Sequence, residues 1–410
     1  VTRRDLDVLL LGATGFTGRL VAAELAARTA GTRLRWGVAG RDPVRLAALA
    51  GALPGAPEAV VVDVRDPTAL AAAVARTRVV ATTVGPYARL GLPVARACAA
   101  AGTQYADITG EPAFVRTLER EVDATARATG ATMVVCCGFD AVPHDLGVQL
   151  AVAQLPDGAD VVARGYVRAR GRPSGGTART ALDAVAGHRR DEDHGEDTDD
   201  AVGATGGAGA SAARGPDVRP VARLVLGTHR PERLGGWAVP LPTVDPLIVR
   251  RSARVLPGYG ATFAYGHFAH VRRTTTLLGA GAGLGAAALA ARTRPGRAVL
   301  ERLIPGEGEG PDDAARAAGR FTVLILATGH GARAEDDVRV VVRVRGGDPG
   351  YGETSRMLAE AALTLASDER PDAVGVVTPA IGLGVPYRRR LEASGLTFEV
   401  VEVEGPLSPG

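Results

Sequence analysis

Over the first 140 residues the chain alternates between short apolar runs and stretches whose apolar residues recur every three or four positions. The runs at 7–11, 34–39, 59–63, 78–84, 104–108 and 132–137 read as strands. Between them, 18–28, 43–53, 67–76, 93–101 and 111–129 carry helical spacing. Three of these helices are expected to open on a proline (Pro43, Pro67, Pro93), whose fixed φ and missing N–H suit a first helical turn. Such alternation predicts a parallel sheet covered by helices on both faces, the order of a dinucleotide-binding domain.

Beyond residue 140 the periodicity changes. Residues 160–171 alternate with period two, which would put Arg164, Tyr166, Arg168 and Arg170 on one sheet face, and 321–345 reads as two antiparallel strands joined by a polar loop. A candidate helix with Thr177 near its start precedes 188–215, an acidic run followed by glycine and alanine. That run has too little apolar area to join a core and is expected to be a flexible, solvated loop. Residues 274–291 carry no charge and lie between Arg272-Arg273 and Arg292, Arg294 and Arg297. Their length is at the lower limit for a membrane span, but only four are leucine. Three readings stay open: a buried or dimer-packed helix, contact of 274–297 with an anionic membrane surface, and a span. A further amphipathic helix is expected near 352–367, with Thr354 and Ser355 as caps.

Composition narrows the function classes. With 410 residues, 46% of them hydrophobic, the chain can bury cores for about two domains. The net charge of +3 and the lack of a basic block argue against a nucleic-acid partner. The sequence contains no lysine, so Schiff-base chemistry and tyrosine–lysine dehydrogenase couples are excluded. No asparagine occurs either. Three cysteines without C-x-x-C spacing point to a reducing compartment, and the first residues lack a signal-peptide pattern, so a cytoplasmic location is expected.

The clearest chemistry is the turn after the first strand, "GATGFTG". Gly12, Gly15 and Gly18, with Thr14, Phe16 and Thr17 between them, would let the backbone approach a pyrophosphate at a helix N-terminus. Past the second strand, Arg41 and Arg45 could grip a ribose 2'-phosphate, which favours NADP(H) over NAD(H); Asp42 could instead cap the helix at Pro43. Asp63 would lie toward the adenine. Thr83, Val84, Gly85 and Pro86 would turn the chain beneath the cofactor, leaving Tyr87 either near the nicotinamide or as a packed aromatic. Gly138 and Phe139 would line the same strand ends, followed by a polar group, Asp140, His144 and Asp145, that is a candidate for catalysis. His144 is the candidate proton donor, while Asp145 could merely cap a helix. Neither His188 and His194 nor the pair His267 and His270 has a ligand spacing that predicts a metal site.

Taken together, "GATGFTG", "AGRDPVRL", "TTVGPY", "YADITGE", "CCGFDAVPHDLG", "SGGT", "GEGEGPDDAAR", "DPGYGETSRMLAEAAL" and "VVTPAIGLG" resemble the saccharopine dehydrogenase-like oxidoreductases, and within them the trans-acting enoyl reductases of lipid and polyketide assembly. The resemblance implies an α/β chain in three parts. These are a Rossmann NADP-binding domain (1–140), an α+β substrate or dimerisation domain with a mostly antiparallel sheet (141–350), and a C-terminal segment (351–410) returning to the Rossmann domain. It also implies that NADPH delivers hydride to an enoyl thioester held on a polyketide synthase carrier domain, with the nicotinamide facing a pocket shared between domains. Tyr351 would then approach the substrate or fill a domain interface. An imine or ketone reductase and a non-catalytic NADP-binding lipid scaffold are the alternatives. His144 stands where the family more often has serine, so the resemblance gives it no proton-donor role.

Overall fold

The computed structural model describes residues 4–171, 201–202, 219–231, 233–291 and 310–405, together with 293, 296 and 299. Thr177, His188, His194 and nearly all of 188–215 lie outside the described residues.

Two compact units form, and the chain crosses between them several times. The first comprises 1–142, 307–318 and 347–396; the second comprises 143–306, 319–346 and 397–410.

In the first unit, β1 (Leu6–Leu11), β2 (Trp36–Gly40), β3 (Glu58–Val61), β4 (Thr77–Thr82), β5 (Gln104–Asp107) and β6 (Thr132–Val134) stand in the order 3-2-1-4-5-6, all parallel. This is the doubly wound nucleotide-binding order. Helix α1 (Phe16–Thr29) follows β1, and α2 (Pro43–Ala52) and α3 (Pro67–Ala75) start on their prolines, each capped by the aspartate before it. Two helices depart from expectation. Helix α4 runs Tyr87–Ala101 with Pro93 inside it, because its first amides are capped from a distance: Glu111 accepts from Tyr87 N and Ala88 N at 3.1 and 2.9 Å. The single helix expected over 111–129 is broken at Val122 into α5 (Pro112–Glu121) and α6 (Asp123–Thr129), where the buried valine takes φ −121°.

Strand β6 also stops early. Cys136 turns to φ +59°, and Asp107 holds the turn from β5, its carboxylate accepting from Cys136 N and its carbonyl from Cys137 N. The segment 347–396 completes this unit. Its helix Gly352–Ala366 packs against α1, β4 and β5 and buries nearly all its faces. The last strand of the sheet, Gly375–Val377, pairs in parallel with β6. Thr354 and Ser355 lie inside this helix rather than capping it; the Thr354 hydroxyl donates back to Pro349 O at 2.8 Å.

The second unit starts with α7 (Val142–Val152), most of which lies past the division at residue 142, and is built on a mixed sheet. Its strands are β7 (Asp160–Arg170), β8 (Ala201–Val202), β9 (Val221–Leu224), β10 (Trp237–Pro240), β11 (Thr262–Val271), β12 (Arg320–His330) and β13 (Val338–Gly346). The half made of β13, β12 and β7 is antiparallel, whereas β7, β11, β9 and β8 run parallel. Residues 397–404 differ from the expectation that the whole C-terminal segment returns to the first domain. They form an antiparallel strand along β13, because their alternation of polar and apolar residues, TFEVVEVE, suits a half-exposed sheet edge.

Thr274–Ala291 is helical, yet Leu278 and Leu289 are each 67% exposed. The described residues therefore leave these two side chains uncovered. No described helix is long and apolar enough to cross a membrane.

Candidate active site

The first unit's site grows from the β1–α1 turn. Gly12 adopts φ +82°, where a side chain is strained, and a Cβ there would lie 2.8 Å from Thr83 Oγ1. A Cβ on Gly18 would lie 2.1 Å from Gly12 O, so only glycine lets the helix start this close to the turn. The neighbouring turn is bound to the first: Thr83 N donates to Leu11 O at 3.0 Å, and the Thr83 hydroxyl reaches Gly12 O at 3.2 Å. Val84 N donates to Thr82 Oγ1 at 3.2 Å, and the Gly85–Pro86 peptide is cis.

Beside this turn lies an open recess of about 500 Å³ lined by Thr14, Arg19, Arg45, Ala48 and Leu49. Asp42 takes the capping role, accepting from Val44 N and Arg45 N at 3.0 Å each, so its carboxylate is committed to the helix start. The Arg45 side chain is 76% exposed and approaches Asp42 at 3.5 Å. Arg41, also exposed, adds to the field that holds Asp63 down. Asp63 itself is bound by Arg65 through paired bonds of 3.0 and 2.7 Å, and this partner first, with Arg65 N second, lowers its carboxyl to about 2. A donor set of helix-terminal amides, close-packed glycines and an arginine-lined recess fits a dinucleotide with an extra phosphate.

The remaining expected residues fall into two groups. Tyr87 is buried, its hydroxyl donating to Thr82 O at 2.9 Å and accepting from Ile108 N at 3.3 Å. Burial pushes its phenol well above the ordinary range, with the Asp107 charge adding to the shift. Its position is that of a packed aromatic that braces the 82–86 turn. Asp140 lies against Gly110, where a Cβ would meet its carboxylate at 3.0 Å. Phe139 N donates to Thr354 Oγ1 at 3.2 Å, and Gly138 faces the Thr354 methyl. The Tyr351 ring meets Phe16 edge-on at 4.9 Å, beside the glycine turn. Thr17 is half-buried in the first turn of α1. His144 belongs to the second unit, where its ring lies 4.4 Å from His267; burial, the largest cause, lowers it to about 3, so the ring is neutral near pH 7.

Sequence reasoning missed three contributors, Arg19, Glu111 and Asp107, and gave His267 the wrong partner. Arg19 lines the recess and donates to Thr14 O at 3.0 Å. Glu111 caps α4. Asp107 is fully buried, accepting from Cys136 N, Thr109 N and the Tyr105 hydroxyl at 2.8, 3.1 and 2.8 Å; burial raises it to about 6 against the pull of those donors. His267 meets Asp245, not His270: on a strand, residues three apart face opposite ways.

Comparison with known proteins places this geometry. Residues 8–134 match the saccharopine dehydrogenase NADP binding domain. Over 431 residues, 98% of this chain and 99% of the relative, the sequence is 36% identical to a Mycobacterium tuberculosis protein named as a trans-acting enoyl reductase. The chain belongs to the trans-acting enoyl reductase family. A Mycobacterium ulcerans trans-acting enoyl reductase is 32% identical across 98% of this chain and 99% of its own. A Mycobacterium bovis one is 33% identical across 96% and 97%. The fold is that of the apo saccharopine dehydrogenase (L-Glu forming) from Saccharomyces cerevisiae, with a TM-score of 0.51, 13% identity and coverage of 97% and 100%. As a member of this family the protein is an NADPH-dependent oxidoreductase, with NADP(H) as cofactor.

Proposed function

We propose that the protein saturates the carbon–carbon double bond of an enoyl thioester carried on a polyketide synthase carrier domain. The observation that carries the reading is the arginine-lined recess beside the Gly12–Gly18 turn, joined to near full-length similarity to proteins named for that activity. When bound, NADPH supplies a hydride for the thioester's β-carbon; a proton at the α-carbon completes the reduction.

The protein's part is to bind and orient. The amides at the start of α1 would meet the pyrophosphate, and Arg45 and Arg19, which line the recess, would hold the 2'-phosphate, with the exposed Arg41 as a further candidate. The Thr83–Pro86 turn, braced by Tyr87 and Glu111, supports the nicotinamide side. Burial favours the neutral form of the His144 ring, which argues against it as the proton donor.

Assay of a substrate panel tests this reading. Loss of the reduced-nicotinamide absorbance with enoyl thioesters, and none with imines or ketones of the same chain length, is the expected outcome. Turnover confined to imines or ketones overturns it, and tight NADPH binding without turnover on any member of the panel would support the scaffold alternative.

A further inference from the structure

The second unit contains a buried cluster of two imidazoles and a carboxylate. His144 at the start of α7, Asp245 in the first turn of the helix Asp245–Val255, and His267 on β11 converge from three elements. They are 1%, 0% and 6% exposed. His267 Nδ1 lies 2.8 Å from Asp245 Oδ1, and the two imidazole rings are 4.4 Å apart. One donor atom from each residue lies within 4.8 Å of the others, the only such His/Cys/Asp/Glu grouping among the described residues.

We propose that His144, Asp245 and His267 form a binding site for one divalent transition-metal ion of the Zn²⁺ class. Two imidazoles and a carboxylate are the donors that such an ion takes, whereas Mg²⁺ and Ca²⁺ prefer oxygen alone. Three protein donors leave one tetrahedral position for a water or another oxygen. Bonds of about 2.0–2.1 Å set donor atoms about 3.3 Å apart, so the cluster has to contract by no more than about 1.5 Å.

The surroundings are those of a ligand shell. Asp245 is oriented by the Thr243 hydroxyl and by the Tyr265 hydroxyl at 3.3 Å, and Thr243 also reaches His267 Nδ1 at 2.9 Å. Groups behind the ligands that fix their orientation are typical of metal sites. A plain Asp245–His267 ion pair accounts for less of the arrangement. It requires no second imidazole against the first, and it leaves His267 Nε2 buried without a hydrogen-bond partner. A dication offsets the charge of the buried carboxylate, which a lone ring nitrogen does only by taking up a proton.

The test uses the full-length protein, stripped with chelator, loaded with Co²⁺ or Zn²⁺ and dialysed. One ion retained per chain is expected, with Co²⁺ giving the strong visible bands of four-coordinate geometry and Zn²⁺ displacing them. His267→Gln should weaken Co²⁺ binding at least about 100-fold, and Thr243→Val, which keeps side-chain shape, about 10–100-fold. His330→Gln, on the exposed end of β12, should change nothing. If wild-type protein retains no ion, or shows only weak octahedral bands, the proposal fails whatever the variants do. It also fails if Thr243→Val, folded by circular dichroism, binds Co²⁺ as tightly as wild type.

Discussion

Arg45 carries its charge on a side chain that is three-quarters exposed and approaches Asp42 at 3.5 Å. It contributes little to stability in that state, and in the proposed binding mode its value is realised when the 2'-phosphate arrives. Replacing it by glutamate should weaken NADPH about 10–100-fold, the range expected for a lost charge-assisted contact, and leave NADH nearly unchanged. Titration of both dinucleotides by protein fluorescence reads the ratio, and an unchanged ratio would place the phosphate elsewhere.

Gly18 acts through sterics alone. Gly18→Ala forces a Cβ into Gly12 O, so both thermal stability and dinucleotide affinity should fall. Asp107 makes stability depend on pH. Its folded-state value of about 6 lies above the ordinary 3.8, so the folded protein holds the proton more tightly than the unfolded chain. Below about pH 4 it contributes no difference; between about 4 and 6 stability is lost as pH rises, by up to about 3 kcal/mol. Denaturant melts of Asp107→Asn should lose that slope, and a slope that persists would assign it to other groups.

At the scale of elements, the first six strands and most of their helices were legible because each carries its own period, and α2 and α3 also carry a local cap in Asp42 and Asp66. What was not legible depends on partners distant in sequence. Pro93 carried a local start signal for α4, but the real start is set by Glu111, 24 residues from Tyr87. Glu111→Ala should therefore leave Tyr87 N and Ala88 N without their acceptor, costing about 1–2 kcal/mol of stability and loosening the 82–86 turn. A melting temperature equal to wild type would show that the cap is dispensable. His267 was weighed with His270 because spacing links them, whereas the fold joins it to residues 22 and 123 positions away, which no motif reveals.

Across the whole molecule, the chain enters and leaves each unit several times, so neither is a continuous segment of sequence. Periodicity identified the pieces, but their assignment depended on edges and pairing: 375–377 extends the parallel sheet, while 397–404 closes along β13. The measurement that tests the account most directly is transfer of deuterium from NADPH deuterated at the nicotinamide C4 to an enoyl thioester, with the product read by mass spectrometry and NMR. The account predicts one deuterium at the β-carbon of a saturated thioester. Deuterium found instead on a carbinol or amine carbon, or no transfer from either face of the labelled cofactor, would contradict it.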